Sequence, residues 1–128
     1  MSRNVLVVDD VRSLRQEIVF LLEDEDHTPF EAENGKLAIE VLNKEPIDLL
    51  ITDVMMPEMD GIELSKYCRN KLPDLKIIII SGGGVLKADD SDKSDDMFSI
   101  IKKLNIADEV LKKPFDYDEL ISAIERLI

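Results

Sequence analysis

One cysteine, one histidine and no tryptophan occur in 128 residues. A lone Cys68 cannot close an internal disulfide, which agrees with a reducing compartment, and its expected role is that of a small buried helix residue. Basic residues are scarce as well: 16 Lys and Arg stand against 28 Asp and Glu, a formal net charge of -12. That balance makes a nucleic-acid backbone or an anionic membrane a poor partner, and cations or basic protein surfaces better ones. No apolar run approaches the roughly 20 residues that a membrane span requires. Met1-Ser2-Arg3 leads into only four apolar residues, too few for a signal peptide. A soluble, cytoplasmic protein is expected. The single imidazole, His27, precedes the second strand candidate and is expected in a solvated or turn position.

What the chain does have is apolar patterning along its whole length. At 45% hydrophobic and 34% charged residues it fits one domain with a full core, residues 1–128, and no further effector domain is expected. Five apolar runs read as strands: Asn4 to Val8, Thr28 to Ala32, Ile47 to Thr52, Lys76 to Ser81 and Glu109 to Leu111. Between them lie helical stripes, such as Leu14, Ile18, Leu21 and Leu22, or Leu37, Ala38, Val41 and Leu42. Leu64, Cys68 and Leu72 mark a third helix behind the cap-like pair Asp60 and Glu63. Met97, Ile100, Ile101 and Leu104 mark a fourth, with Met97 expected in the core. Leu120, Ile121, Ile124, Leu127 and Ile128 mark a fifth, behind Asp116 and Glu119. Alternating βα units predict an α/β fold: a five-stranded parallel sheet, doubly wound, with helices on both faces. Pro29 inside the second run would break a ladder hydrogen bond unless that strand is at an edge, and strand order 2-1-3-4-5 places it there.

Parallel strands all end on one rim, so residues at their carboxyl ends converge. Strand one ends at Asp9 and Asp10, strand three at Asp53, strand four at Ser81, and strand five just before Lys113. Two carboxylates ~4 Å apart repel by roughly 4 kcal/mol at an effective dielectric near 20, so three need a proton, a cation or a metal. Lys113 alone leaves the cluster negative. A hard divalent ion with oxygen ligands supplies the missing charge, and Mg²⁺ suits a site of few carboxylates that keeps several waters. By themselves the two acids after strand one would serve equally well to cap the next helix. Together with Asp53, Ser81 and Lys113 they suit phosphoryl transfer, where positioning and charge neutralisation dominate, with Asp53 as acceptor.

These residues carry a resemblance. In "VLVVDD", "DLLITDVMMPEMDG", a hydroxyl residue closing strand four in "IIIISGG", and "LKKPF", with a helix between each pair, the chain resembles the receiver domain of two-component response regulators over nearly its whole length. The resemblance implies a flavodoxin-like fold and phosphorylation of Asp53 from a phosphohistidine on a sensor histidine kinase or a histidine phosphotransfer protein. It implies that Asp10, Asp53 and the backbone carbonyl of Met55 bind Mg²⁺, or Mn²⁺ in its place, with Asp9 acting through a bound water. Ser81 would hydrogen-bond one phosphoryl oxygen and Lys113 would pair with another. Lys112, on the opposite side of its strand, would not reach the site. Gly82 would leave room for the phosphodonor, and a cis Lys113–Pro114 bond is allowed. The output would be a downstream protein target or effector domain reading the surface near the fourth helix and fifth strand. The chain would be a regulatory phosphoacceptor, at most catalysing its own phosphorylation and dephosphorylation.

Two features depart from the family pattern. Val110 stands where members commonly carry Tyr or Phe, and the stretch from Ser81 to Met97 is longer than the usual connection by roughly ten residues, a length at which loops tend to be functional or disordered. Three other functions compete. A Mg²⁺-dependent aspartyl phosphatase usually needs an acid two residues after its nucleophile, where this chain has Met55 after Asp53 and Val11 after Asp9. A flavin electron carrier lacks its hydroxyl- and glycine-rich phosphate loop, since "DDVRS" would repel a phosphate. A receiver-like scaffold that acts by docking alone is opposed by the complete set of site residues and kept open by Val110.

Overall fold

A computed structural model describes residues 3–56, 59–81 and 97–128, without the side chains of Met97 and Phe98. Gly82, the remainder of the long segment up to residue 96, and the expected core position of the Met97 side chain lie outside the described residues. Strands β1 (Asn4–Val8), β2 (Thr28–Ala32), β3 (Leu49–Asp53), β4 (Lys76–Ser81) and β5 (Glu109–Lys112) pair in parallel in the order β2-β1-β3-β4-β5. Helices α1 (Arg12–Asp24), α2 (Gly35–Lys44), α3 (Gly61–Lys71), α4 (Met97–Leu104) and α5 (Tyr117–Leu127) connect and follow them. The doubly wound sheet expected from the sequence is therefore what forms.

The central strands carry continuous apolar runs, with polar residues only toward their ends, because both of their faces are covered. Val5, Val7, Leu49, Ile51, Ile78 and Ile80 turn to one side and pack with α1 and α5 through Ile18, Leu22, Leu120 and Ile124. Leu6, Leu50, Ile77 and Ile79 turn to the other, against α2, α3 and α4 through Ala38, Leu42, Leu64, Cys68 and Ile101. Cys68 is completely buried, and burial pushes its thiol up to about 12, so it behaves as a core residue. The stripes narrow at their edges: Leu14, Leu37 and Leu104 are exposed where the periodicity alone placed them inward. In α1 the inward position is taken by Val19, which the sequence stripe omitted.

Two strand boundaries shift. β3 begins at Leu49 because Asp48 is engaged sideways, its carboxylate accepting the Asn4 N–H at 2.9 Å, and it runs one residue further, to Asp53. β5 likewise extends to Lys112 through pairing with Ser81. Pro29 lies in the edge strand as expected. Thr28 N–H and Ala32 C=O both point toward β1, accepted by Arg3 and donated to by Asp9. The alternation along a strand then turns the Pro29 nitrogen outward, where no ladder bond is lost. His27 occupies the turn before β2, its Nδ1 accepting the Arg3 N–H at 3.3 Å.

Helix starts follow short polar side chains. Asp60 accepts the Glu63 N–H at 2.8 Å, and Asp116 forms a full reciprocal box with Glu119. Asn34 caps α2 by accepting the Leu37 N–H at 2.9 Å, a cap that apolar periodicity does not reveal. The box ties α5 down directly after the Lys113–Pro114 bond, which is cis. Replacing Asp116 with Ala is expected to cost about 1 kcal/mol, the usual loss for such a cap, measured as a lowered urea midpoint with an unchanged slope.

Candidate functional site

Four of the expected residues meet at the carboxyl rim of the sheet. Asp9 and Asp10 follow β1, Asp53 closes β3, and Lys113 follows β5. Val7, Ile51 and Leu111 all face the α1–α5 side, so the two-residue alternation carries Asp9, Asp53 and Lys113 to that same side. Carboxylate oxygens of Asp9, Asp10 and Asp53 lie within 4.8 Å of one another. Lys113 Nζ approaches Asp53 Oδ1 to 3.3 Å. Asp9 and Asp53 are buried, at 3% and 7% exposure, whereas Asp10 is open to solvent. A cleft of about 450 Å³ leads down to Asp9 and Lys113 between α1 and the start of α5, walled by Leu14, Phe115 and Tyr117.

Burial governs the charges. Loss of water raises the pKa of Asp53 above the ordinary carboxylate range, and Asp9 adds to the rise, while the Lys113 ammonium opposes it. Asp9 is raised for the same first reason, against the opposing pull of the Val11 N–H, which donates to its Oδ1 at 2.9 Å, and of Lys113. The helix-cap alternative for the acid pair is not realised. The N-cap of α1 is Val11, without a side-chain cap, and Asp9 spends its oxygen on the Val11 N–H within the loop. Two buried carboxylates held against their preference for water, a third beside them and one ammonium make an oxygen-rich, net negative pocket. That donor set fits a hard divalent cation such as Mg²⁺.

The remaining expected residues surround this group. Ser81 is fully buried at the end of β4, one step beyond Ile80, the register partner of Asp53, and its carbonyl accepts the Lys113 N–H at 2.8 Å. Lys112 is exposed, on the strand face opposite to Lys113. Met55 is exposed in the loop after β3. Val110 is half-buried and packs against the α4 side of the sheet.

One residue with a clear role was carried in the sequence only as part of a motif. A Cβ on Gly61 would fall 2.1 Å from the Asp53 carbonyl oxygen and 2.9 Å from its carbon. Both are backbone atoms and cannot swing aside. Only glycine lets the first turn of α3 close on β3, with the Gly61 N–H donating to the Val54 carbonyl at 3.0 Å. A glycine directly after the Asp60 cap was the available signal. Arg15 is a second such residue: its Nη1 donates to the Asp9 carbonyl at 2.7 Å, and nothing in the helical periodicity marked it.

Residues 5–125 match the response regulator receiver domain. The chain belongs to this family. It is 36% identical over 127 residues to the response regulator receiver protein CpdR of Brucella abortus, covering 98% of this chain and 97% of that protein. It is 30% identical over 128 residues to sporulation initiation phosphotransferase F of Bacillus subtilis, covering 100% and 95%. Of two longer regulators that it matches, the receiver chain spans about half, 48% and 51%. Among solved structures, the response regulator TrrA of Thermotoga maritima in complex with Mg²⁺–BeF superposes with a TM-score of 0.78 at 29% identity, covering 98% and 99% of the two chains. Receiver domains are regulatory signalling domains of two-component systems, bind Mg²⁺ at an acidic pocket, and interact with histidine kinases and effector domains. No helix among the described residues of this receiver is long and apolar enough to cross a membrane.

Two outcomes are expected from this geometry. Gly61→Ala forces α3 away from the end of β3 and lowers stability by about 2 kcal/mol or more, within the range for overpacking against an unyielding neighbour, read from urea unfolding. The second concerns Asp9, which binds its proton more tightly in the native than in the unfolded state. Stability then falls as pH rises from the ordinary carboxylate range through the native pKa, and the loss persists above it. Asp9→Asn, which keeps the acceptor for Val11, is therefore more stable than wild type at pH 7 without divalent cations, and the gain shrinks on acidification. Equal unfolding midpoints across that pH range would contradict it.

Proposed function

We propose that the chain is a phosphoacceptor in which Asp53 receives a phosphoryl group from a phosphohistidine of a sensor histidine kinase or a histidine phosphotransfer protein. The observation that carries this is the placement of Asp53 alone at a buried strand end, with Lys113 3.3 Å from one oxygen and two further acids within 4.8 Å. One carboxylate oxygen of Asp53 forms the new P–O bond as the P–N bond to the donor imidazole breaks. The bond electrons return to the imidazole nitrogen, which takes up a proton. Lys113, already beside Asp53, is placed to move onto a phosphoryl oxygen, and Ser81 at the neighbouring strand end accounts for a second. Asp10, Asp53 and the Met55 carbonyl would hold Mg²⁺, or Mn²⁺ in its place, with Asp9 acting through water. Bound there, the ion supplies charge neutralisation for the gathering oxygens. Gly82, beyond the described residues, would leave the donor room to approach. We take residues 1–128 as a single receiver unit.

A transfer of the phosphoryl group adds strong acceptor oxygens at the ends of β4 and β5. Shifting a two-state domain from 1:99 to 99:1 needs ~5.5 kcal/mol of differential stabilisation. Two charge-assisted hydrogen bonds at roughly 1.5–3 kcal/mol each, from Ser81 and Lys113, are of that size. The surface of α4 and β5 would then present the signal to a downstream protein or effector domain. Val110 offers no ring to swing inward, so the shift of the strand-end loops has to carry the change.

Support comes also from the relatives: one is a phosphotransferase by name, and the TrrA structure holds Mg²⁺–BeF. The test is intact mass after incubation with acetyl phosphate, with and without Mg²⁺, for wild type and Asp53→Asn. A single Mg²⁺-dependent phosphoryl adduct, absent from the variant, is expected. No adduct under conditions that label another receiver in parallel would overturn the proposal.

A further inference from the structure

The carbonyl of Asp9 sits where the β1–β2 ladder runs out. Asp9 N–H donates to Ala32 at 3.2 Å, the last bond between the two strands. In a parallel ladder that carbonyl would next accept the N–H of Asn34. Asn34 has instead turned away to cap α2. Arg15 takes over the acceptor: Nη1 donates to the Asp9 carbonyl at 2.7 Å, while Nε donates to Glu31 Oε1 at 2.9 Å. Gln16 Nε2 donates to the same Glu31 oxygen at 2.7 Å. The Arg15 side chain is 12% exposed and its bond to the Asp9 carbonyl is partly buried, while the Glu31 end of the fork is 36% exposed, at the surface.

We propose that Arg15 and Glu31 are a positioning pair for the acidic site, tying the edge strand β2 to the loop that carries Asp9 and Asp10. The proposal rests on the metal-binding role given to those acids above. Asp9 is fixed at three points: its N–H by Ala32, its carbonyl by Arg15 and its Oδ1 by Val11. Two of these are contacts to backbone groups that any sequence at this turn can supply. The third needs a donor that spans a carbonyl and a carboxylate at once, a task for the planar fork of arginine and not for the single ammonium of lysine. Glu31 reaches the acids through Arg15, so its effect on them is passed on by that side chain.

The test is an NMR titration of the full chain with MgCl₂, following backbone amides at Asp9, Asp10 and Asp53, in wild type, Arg15→Ala, Arg15→Lys, Glu31→Gln and Arg126→Ala. Removing an outer contact of a metal site commonly weakens binding by 10–100-fold, so Arg15→Ala is expected to raise half-saturating Mg²⁺ by roughly tenfold or more. Arg15→Lys and Glu31→Gln shift it in the same direction by less. Arg126→Ala breaks the ion pair to Glu109 at the opposite edge and leaves the half-saturation where it was, which separates positioning from general loosening. Should Arg15→Ala not fold, Arg15→Lys and Glu31→Gln decide. Wild-type half-saturation in these variants would overturn the proposal and leave the metal site standing. If wild type itself shows no saturable shift at the three acids, the metal role fails, and this proposal with it.

Discussion

The desolvation of carboxylates at the rim of a parallel sheet is the constraint on which the rest of this structure depends. A sheet covered on both faces gives its strand ends no water except at the rim, and here the chain places Asp9 and Asp53 just inside it. Both are held as acids above their ordinary range by burial. A fold that wanted only stability would put neutral residues there. Retaining the acids gathers three carboxylates and an ammonium where water is partly excluded, and there electrostatic contacts are stronger than in bulk water.

Keeping such a pocket requires a rigid surround. Gly61 lets α3 close directly on the backbone of Asp53, and the Val54 N–H and carbonyl are taken by Ile80 and Gly61, so the end of β3 has little freedom. Lys113 is anchored through its own N–H to Ser81, so the ammonium and the hydroxyl residue are parts of one strand-end unit. Any movement of the Lys113 side chain away from Asp53 therefore starts from a backbone position tied to Ser81 on the neighbouring strand.

The legibility of all this in the sequence was uneven, for physical reasons. Strand identity and order could be read because continuous apolar runs and a proline within a strand fit few alternative topologies, and the acids could be grouped because parallel topology leaves one rim for them. Boundaries slipped where a side chain replaced a ladder bond, as Asp48 does before β3. The outer members of the helical stripes, Leu14 and Leu37, were drawn inward by periodicity but stay exposed, Leu14 on the wall of the cleft beside Asp9. Gly61 entered only as the last residue of a motif and Arg15 not at all, because the importance of each lies in what it approaches across the fold, a strand-end carbonyl in each case.

Pro29 bears on how this protein behaves in a crowded solution. An unpaired edge strand is an invitation to aggregate, since a second chain can extend the sheet by backbone bonding alone. With the Pro29 nitrogen on the outward side, β2 has no donor at that step. An incoming strand would meet a gap in the hydrogen-bond ladder there. The missing donor works against strand addition at this edge without any loss to the β1–β2 pairing.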